Sequence, residues 1–323
     1  MTLAGTVAQS SSAGLRRVVL GLSFLESFAT ILLERAVYFF SQQRLGYGET
    51  ENLMLALLFG AAYTLGAARS HWLSHRLGER ASLALTLVGL LLFHGLLVLA
   101  PEGRVFPLAF AAIGLLEGAK WPIIESYVAA GLDPEAQQRA VGQFNVCWAA
   151  AVPLAIALAG PLIASGLPGA LFALATLLNA GSLLLLPRFP ARVQHMDNSH
   201  PSRPLGAVLD RYRALLGSSR WAMLASYALM FLLAPLLPGV FQRLGCSVQR
   251  ATFWASCMDA VRVATFACLA LLPGWHGRGL PLLLASLGLP VAFCAIVFGG
   301  ALPGVVLGEV VFGVLAGISY YAA

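Results

Sequence analysis

The chain has 323 residues, of which 59% are hydrophobic and 11% charged, with a formal net charge of +6 and a mean hydropathy of +0.81. Soluble domains carry about 25% charged residues, and surface area falls too slowly with mass for a soluble fold of this length to hide so much apolar surface. The composition excludes a soluble globular protein and predicts an all-α polytopic membrane protein.

A helix needs about 20 apolar residues to cross the hydrocarbon core. Ten such runs are predicted, over 17–41, 52–73, 82–100, 105–130, 139–165, 168–187, 219–242, 249–273, 279–300 and 302–323. Long unbroken runs mean helices; barrel strands would be short and alternating.

The first span follows Arg16 and Arg17, as a signal peptide would. It continues through Glu26, Glu34 and Arg35 with no small-x-small cleavage site, so it reads as a retained helix. Glu26 falls one or two turns from the cytoplasmic end and is expected to snorkel there. The second span ends at "HRLGER", where His71 and His75 have the i,i+4 spacing of metal ligands but no carboxylate-rich partner loop, and read as surface residues. No metal or other cofactor is expected. The third, sixth and ninth spans contain no Asp, Glu, Lys or Arg, and their strongly polar residues are His94 and Asn179.

An ionisable residue inside a bilayer costs several kcal/mol unless it faces a cavity or a partner. The fourth span carries Glu117, Lys120 and Glu125. At 100° per residue they share an arc of about 140°, so all three can face one cavity. Glu117 falls near mid-membrane, with Glu34 and Arg35 outward of the midpoint of the first span. Two readings stand: a buried ion pair locking the first span to the fourth, or direct contact with a solute or proton. Asp259 and Arg262 on the eighth span are i,i+3, which suits an intrahelical salt bridge or a cavity role. The tenth span carries Glu309, and ends in Tyr320 and Tyr321, which suit stacking on a solute or plain aromatic packing. The five cysteines show neither CxxC nor metal spacing and read as small core residues.

One connection is far longer than the rest: the polar, basic segment around "PRFPARVQHMDNSHPSRP". It divides the chain into a six-helix bundle over 1–187, a cytoplasmic linker over 188–218, and a bundle over 219–323. Leu205–Leu216 reads as a short helix at the membrane surface. Arginines concentrate on the linker side, which places the N-terminus in the cytoplasm, in the cell (inner) membrane. They are topology signals, and no nucleic-acid partner is implied.

The tetrapeptide QRLG occurs at 43–46 and again at 242–245, an offset of 199. The same offset aligns Gly46 with Gly245, Gly78 with Gly277, Gly114 with Gly313, and Gly118 with Gly317. A constant register implies two parallel halves, each with QRLG at the outer end of its first helix. Parallel six-helix repeats are a transporter plan.

These features resemble the major facilitator superfamily. In the loop after the second span, Arg76, Gly78 and Arg80 match that family's signature, whereas His71, His75 and Glu79 depart from it. The fourth span has the Gly-xxx-Gly-xxx-Pro spacing of Gly114, Gly118 and Pro122, but lacks the family's arginine near Gly114. Gly160-Pro161 matches the ending of the fifth helix. The resemblance implies a 6+6 architecture with about ten transmembrane helices present, in which helices 1, 4, 7 and 10 line a cavity and 3, 6, 9 and 12 stay outside. It implies a secondary transporter, not an enzyme. Its partners would be a small-molecule solute, the lipid bilayer and protons, with Glu117 or Glu34 the protonation candidate. The expected pathway residues are Glu34, Arg35, Glu117, Lys120, Glu125, Asp259, Arg262 and Tyr320, with Glu34, Arg35, Glu117 and Lys120 around one cavity. No Walker motif occurs, so an ion gradient is the expected driver. The alternatives are a membrane-embedded enzyme or scaffold, and a ten-helix transporter of inverted halves. The apolar end at "ISYYAA" is expected to be a truncation within the tenth helix.

Overall fold

The structure, a computed structural model, describes residues 3–130, 132, 134–193, 206–272 and 278–322. Gly277 and linker residues 194–205 lie outside that set. The described residues form helices α1 (Leu3–Glu34), α2 (Val37–Phe40), α3 (Glu49–Leu77), α4 (Glu79–Leu99), α5 (Val105–Ala129), α6 (Pro134–Ala164), α7 (Ala170–Leu185), α8 (Gly206–Arg243), α9 (Val248–Ala255), α10 (Cys257–Leu271), α11 (Gly279–Val297) and α12 (Leu302–Ala322). Helices satisfy every backbone group within one segment, which a bilayer demands. Nine stretches among the described residues are long and apolar enough to cross a membrane, α9 and α10 counting as one. Residues such as Leu57, Leu92, Leu177, Leu283 and Val291 stand exposed along α3, α4, α7 and α11, as a lipid-facing surface requires.

Three details depart from the sequence reading. The first span is not one helix: α1 stops at Glu34, Arg35 and Ala36 form a turn, and α2 runs into a π-helical turn over Ser41–Leu45. The eighth span breaks at Ser256 between α9 and α10. The surface helix expected at Leu205–Leu216 is the first third of the continuous helix α8, because Gly206–Arg243 contains no helix breaker before Pro235.

The chain packs as two compact units. Unit 1 comprises Met1–Glu34, Leu57–Ala151 and Pro168–Asp197; unit 2 comprises Arg35–Ala56, Val152–Leu167 and Asn198–Ala323.

Within unit 1, α3 crosses α5 with backbones in contact. A Cβ on Gly118 would lie 2.0 Å from the Tyr63 carbonyl oxygen, and one on Gly114 2.9 Å from that of Phe59. Only glycine permits such an approach. Within unit 2, α10 crosses α12 in the same way. A Cβ on Gly313 would lie 2.3 Å from the Met258 carbonyl oxygen, and one on Gly317 3.5 Å from that of Arg262. Met258 and Arg262 stand 199 residues after Phe59 and Tyr63. The register read from the glycines thus extends to the helices they pack on.

The repeated QRLG closes two helices. Gly46 (φ +71°) and Gly245 (φ +70°) both take the left-handed conformation that caps a helix C-terminus. After Gly245, the Cys246 amide donates to the Phe241 carbonyl at 3.0 Å, the six-to-one bond of a Schellman motif. After Gly46, the π-turn lengthens the loop by one residue, and the Tyr47 amide donates to the Ser41 carbonyl at 3.2 Å.

Candidate functional site

Among the described residues, each unit holds a cluster of buried charge. In unit 1 it joins α1 to α5. The Lys120 ammonium donates to Glu26 Oε2 at 2.7 Å and to Thr30 Oγ1 at 3.1 Å, and lies 2.7 Å from Glu117 Oε2. The Thr30 hydroxyl lies 2.7 Å from both Glu117 Oε2 and the Glu26 carbonyl oxygen, with one proton to give to either. Glu26, Glu117 and Lys120 have no solvent exposure. The sequence supplies this arrangement through helical period: Glu26 and Thr30 are i,i+4 on α1, Glu117 and Lys120 i,i+3 on α5, so each pair shares a face. Two carboxyls compete for one ammonium. The remaining oxygens, Glu26 Oε1 and Glu117 Oε1, are buried with no hydrogen-bond partner. With both carboxyls ionised the cluster carries one excess negative charge, which a single proton balances.

Glu26 therefore does not snorkel. It lies well inside α1, because that helix begins at Leu3 and not near Arg17, and its carboxylate is consumed by Lys120. Glu125 is exposed and takes no part in the cluster. The 140° arc was too wide: the buried stripe of α5 holds Glu117 and Lys120, and Glu125 falls beyond its edge. Glu34 is half-buried at the end of α1. Behind the cluster, His94 on α4 faces Asn179 on α7, Nδ1 to Nδ2 at 3.0 Å, both fully buried. The two polar residues on otherwise apolar spans thus pair with one another through one contact, and His94 Nε2 and Asn179 Oδ1 stay buried without a hydrogen-bond partner.

In unit 2, Arg35 anchors the cluster. Its Nη1 donates to Asp259 Oδ2 at 2.5 Å, and Arg262 Nη2 lies 3.0 Å from Asp259 Oδ1. One carboxylate thus receives two guanidinium groups, and the predicted i,i+3 pair becomes part of a triad. Glu309 on α12 is also fully buried. Tyr320 packs on Phe266, ring centroids 5.2 Å apart, and on Tyr227 at 6.0 Å; the side chain of Tyr321 lies outside the described residues. A cavity of about 240 Å³ is lined by Phe39, Gln42, Gln43, Gln242 and Cys246, where Gln42 donates to Gln242 at 2.7 Å.

The loop signature forms a clip within unit 1. Gly78 (φ +82°) turns the chain between α3 and α4. Arg80 donates to the Phe189 carbonyl at 3.2 Å, and Glu79 accepts from the Val193 amide at 3.1 Å. Arg76 stacks over Trp72 at 4.9 Å. The departure at Glu79 is thus structural: an acid is what a free backbone N–H after α7 requires. Among the described residues no group of three or more His, Cys, Asp or Glu could hold a metal, and all five cysteines are free.

The sequence reading missed Thr30 and gave Glu26 and Glu309 no role. The spacing of Glu26 to Thr30, a carboxylate and a hydroxyl on one helical face, was the available signal.

Known proteins share this fold. The family description "Major Facilitator Superfamily" fits residues 16–323. No curated protein matches the chain in sequence. Among solved structures, a bacterial homolog of the human lysosomal transporter Spinster, inward-facing and unoccupied, aligns with a TM-score of 0.68 at 14% identity, over 97% of this chain and 75% of that one. A D-xylose–proton symporter aligns at 0.65 and 16%, over 96% and 80%. The nucleoside transporter NupG aligns at 0.68 and 13%, over 95% and 80%. The chain belongs to the Major Facilitator Superfamily: it is an integral multi-pass membrane protein and a transporter, not an enzyme.

Proposed function

We propose that this superfamily member is a secondary transporter that moves a small organic solute by alternating access, coupled to protons. The observation that carries the coupling is the Glu26–Lys120–Glu117 cluster, where two fully buried carboxyls share one ammonium. A proton arriving on either carboxyl frees a share of Lys120 for the other, and its departure restores the competition. A buried ion pair that served only stability could be replaced by apolar side chains at no loss. A D-xylose–proton symporter shares the fold, which fits this reading.

We place the halves at 1–187 and 219–323, joined by a cytoplasmic segment over 188–218, with the N-terminus in the cytoplasm of the cell (inner) membrane. The constant 199-residue register supports two parallel halves.

The test is uptake into proteoliposomes over a panel of sugars, nucleosides, amino acids and organic acids, with and without an inward proton gradient. At least one solute is expected to accumulate only with the gradient, and Glu117→Gln is expected to abolish that accumulation. Undiminished gradient-driven uptake by Glu117→Gln would remove the role assigned to the cluster.

A further inference from the structure

The repeated tetrapeptide QRLG has one position that helix capping does not explain. Gly46 and Gly245 supply the left-handed residue that ends each helix. The arginines reach other helices. Arg44 Nη2 donates to the Ile163 carbonyl in the last turn of α6 at 2.8 Å. Arg243 Nη2 donates to the Val297 carbonyl at the end of α11 at 3.2 Å, beside its ion pair with Glu49. Carbonyls at a helix C-terminus lack a partner in their own helix, so a cation suits them. Leu45 and Leu244 are half-buried. Gln43 and Gln242, 199 residues apart, serve neither a cap nor a helix end, and both line the cavity of about 240 Å³.

Gln42 joins them there, and its Nε2 donates to Gln242 Oε1 at 2.7 Å. That bond leaves Gln42 Oε1 to accept and Gln242 Nε2 to donate. Within the described residues the Gln43 side chain makes no hydrogen bond, so both ends of its amide are open as well. Phe39, Pro238 and Ala251 are buried and give the cavity an apolar side. None of the lining residues is Asp, Glu, Lys, Arg or His. A charged solute entering it would lose water and meet no counter-ion. An apolar solute would leave the amides without partners. A neutral solute with a donor beside an acceptor exchanges water for amide groups at little cost. The volume falls below the roughly 300–1,000 Å³ of sites for drug-sized ligands, so the solute is small.

We propose that this cavity is a solute seat built by the two QRLG segments. It takes a small uncharged molecule that presents a hydrogen-bond donor and acceptor side by side, as a diol or a carboxamide does. The seat shares no residue with the Lys120 cluster. It rests on the transporter reading for the solute's passage, but not for its binding.

Cys246 lines the same cavity and is half-buried, so its alkylation reports occupancy. The test is the rate of N-ethylmaleimide labelling of the purified full chain, read at each cysteine by mass spectrometry. Cys268, exposed and outside the lining, is the internal reference. The solutes are xylitol and myo-inositol as diols, acetamide and nicotinamide as carboxamides, and lactate, choline and betaine as charged molecules. At least one diol or carboxamide is expected to slow labelling of Cys246 roughly tenfold near saturation and leave Cys268 unchanged. Which of the two groups protects assigns the source. Gln43→Leu and Gln242→Leu are each expected to weaken that solute's affinity about threefold to tenfold. Gln249→Leu, at an exposed glutamine outside the lining, should keep it. Protection by no diol or carboxamide, or equal protection by a charged solute, overturns the seat. So does unchanged affinity in a folded variant carrying both Gln43→Leu and Gln242→Leu. Proton-driven uptake with no protection of Cys246 would sink the seat and leave the transporter reading standing. Protection of Cys246 without uptake of any solute would do the reverse.

Discussion

Lys120 on α5 holds Glu26 on α1 across 2.7 Å, and neither side chain reaches solvent. The pair is one of the polar ties between the two helices, beside the contacts of Thr30 with Glu117 and Lys120, and Glu117 draws on the same ammonium. Removing the cation alone strands two buried carboxyls. Lys120→Met is expected to destabilise the fold by about 3–5 kcal/mol, the range for breaking a buried pair from one side. Thermal unfolding of purified protein in detergent measures it. The deficit should shrink in acidic buffer, where protons replace the missing cation, whereas the unaltered protein should lose stability or stay level. An equal deficit at all pH values would mean that the carboxyls are not the stranded groups.

The glycine crossings give a prediction with its own control. In Gly118→Ala the new methyl would lie 2.0 Å from the Tyr63 carbonyl oxygen, an atom of backbone that cannot turn aside. In Gly313→Ala it would lie 2.3 Å from that of Met258. Each substitution should cost about 1–3 kcal/mol through forced separation of the helices. Gly181→Ala on α7 meets nothing within 4 Å and should be neutral or slightly stabilising. Comparable unfolding temperatures for all three would show that these crossings are looser than drawn.

What the sequence disclosed follows from what each signal depends on. Spans depend on apolar run length alone, so α3 to α7 were legible to within a few residues. The repeat depended on glycines whose task is local: Gly46 and Gly245 each cap a helix, and Gly114 and Gly313 each admit a close helix crossing. The breaks at Arg35–Ala36 and Ser256 were not legible, because neither carries a Gly or Pro. For the charges, the helical wheel paired Glu117 with Lys120 correctly but could not choose the partner helix residue. Glu34 and Glu26 are eight residues apart, close to two turns, so both are plausible from period alone; depth along α1 decided for Glu26. Asp259 as the partner of Arg35 lies 224 residues away, beyond any local rule.

The clip after α7 depends on one backbone angle. Gly78 has φ +82°, and a Cβ there would also meet the Ala191 carbonyl oxygen at 3.0 Å. Gly78→Ala should cost about 1–3 kcal/mol, from strain at a position L-residues avoid. Glu79→Ala removes the acceptor for the Val193 amide without backbone strain. Both variants should be cut faster by trypsin at Arg188 or Arg192, read by mass spectrometry. Faster cutting in Gly78→Ala only would assign the clip to the turn and not to Glu79.

Asp259 is the single anion that two buried guanidinium groups share, at 2.5 Å from Arg35 and 3.0 Å from Arg262. Asp259→Leu takes from both arginines the carboxylate they share, and Arg35→Met leaves Asp259 with its intrahelical partner Arg262. The first should therefore be the more damaging, by about 3–5 kcal/mol against a smaller loss for the second. The double variant removes one charge of each sign, so it should be no worse than Asp259→Leu alone. The interaction energy from the four unfolding measurements should then be favourable and at least about 1 kcal/mol, because residues in one ion network are not additive. Strict additivity would show that Arg35 and Asp259 meet without depending on each other.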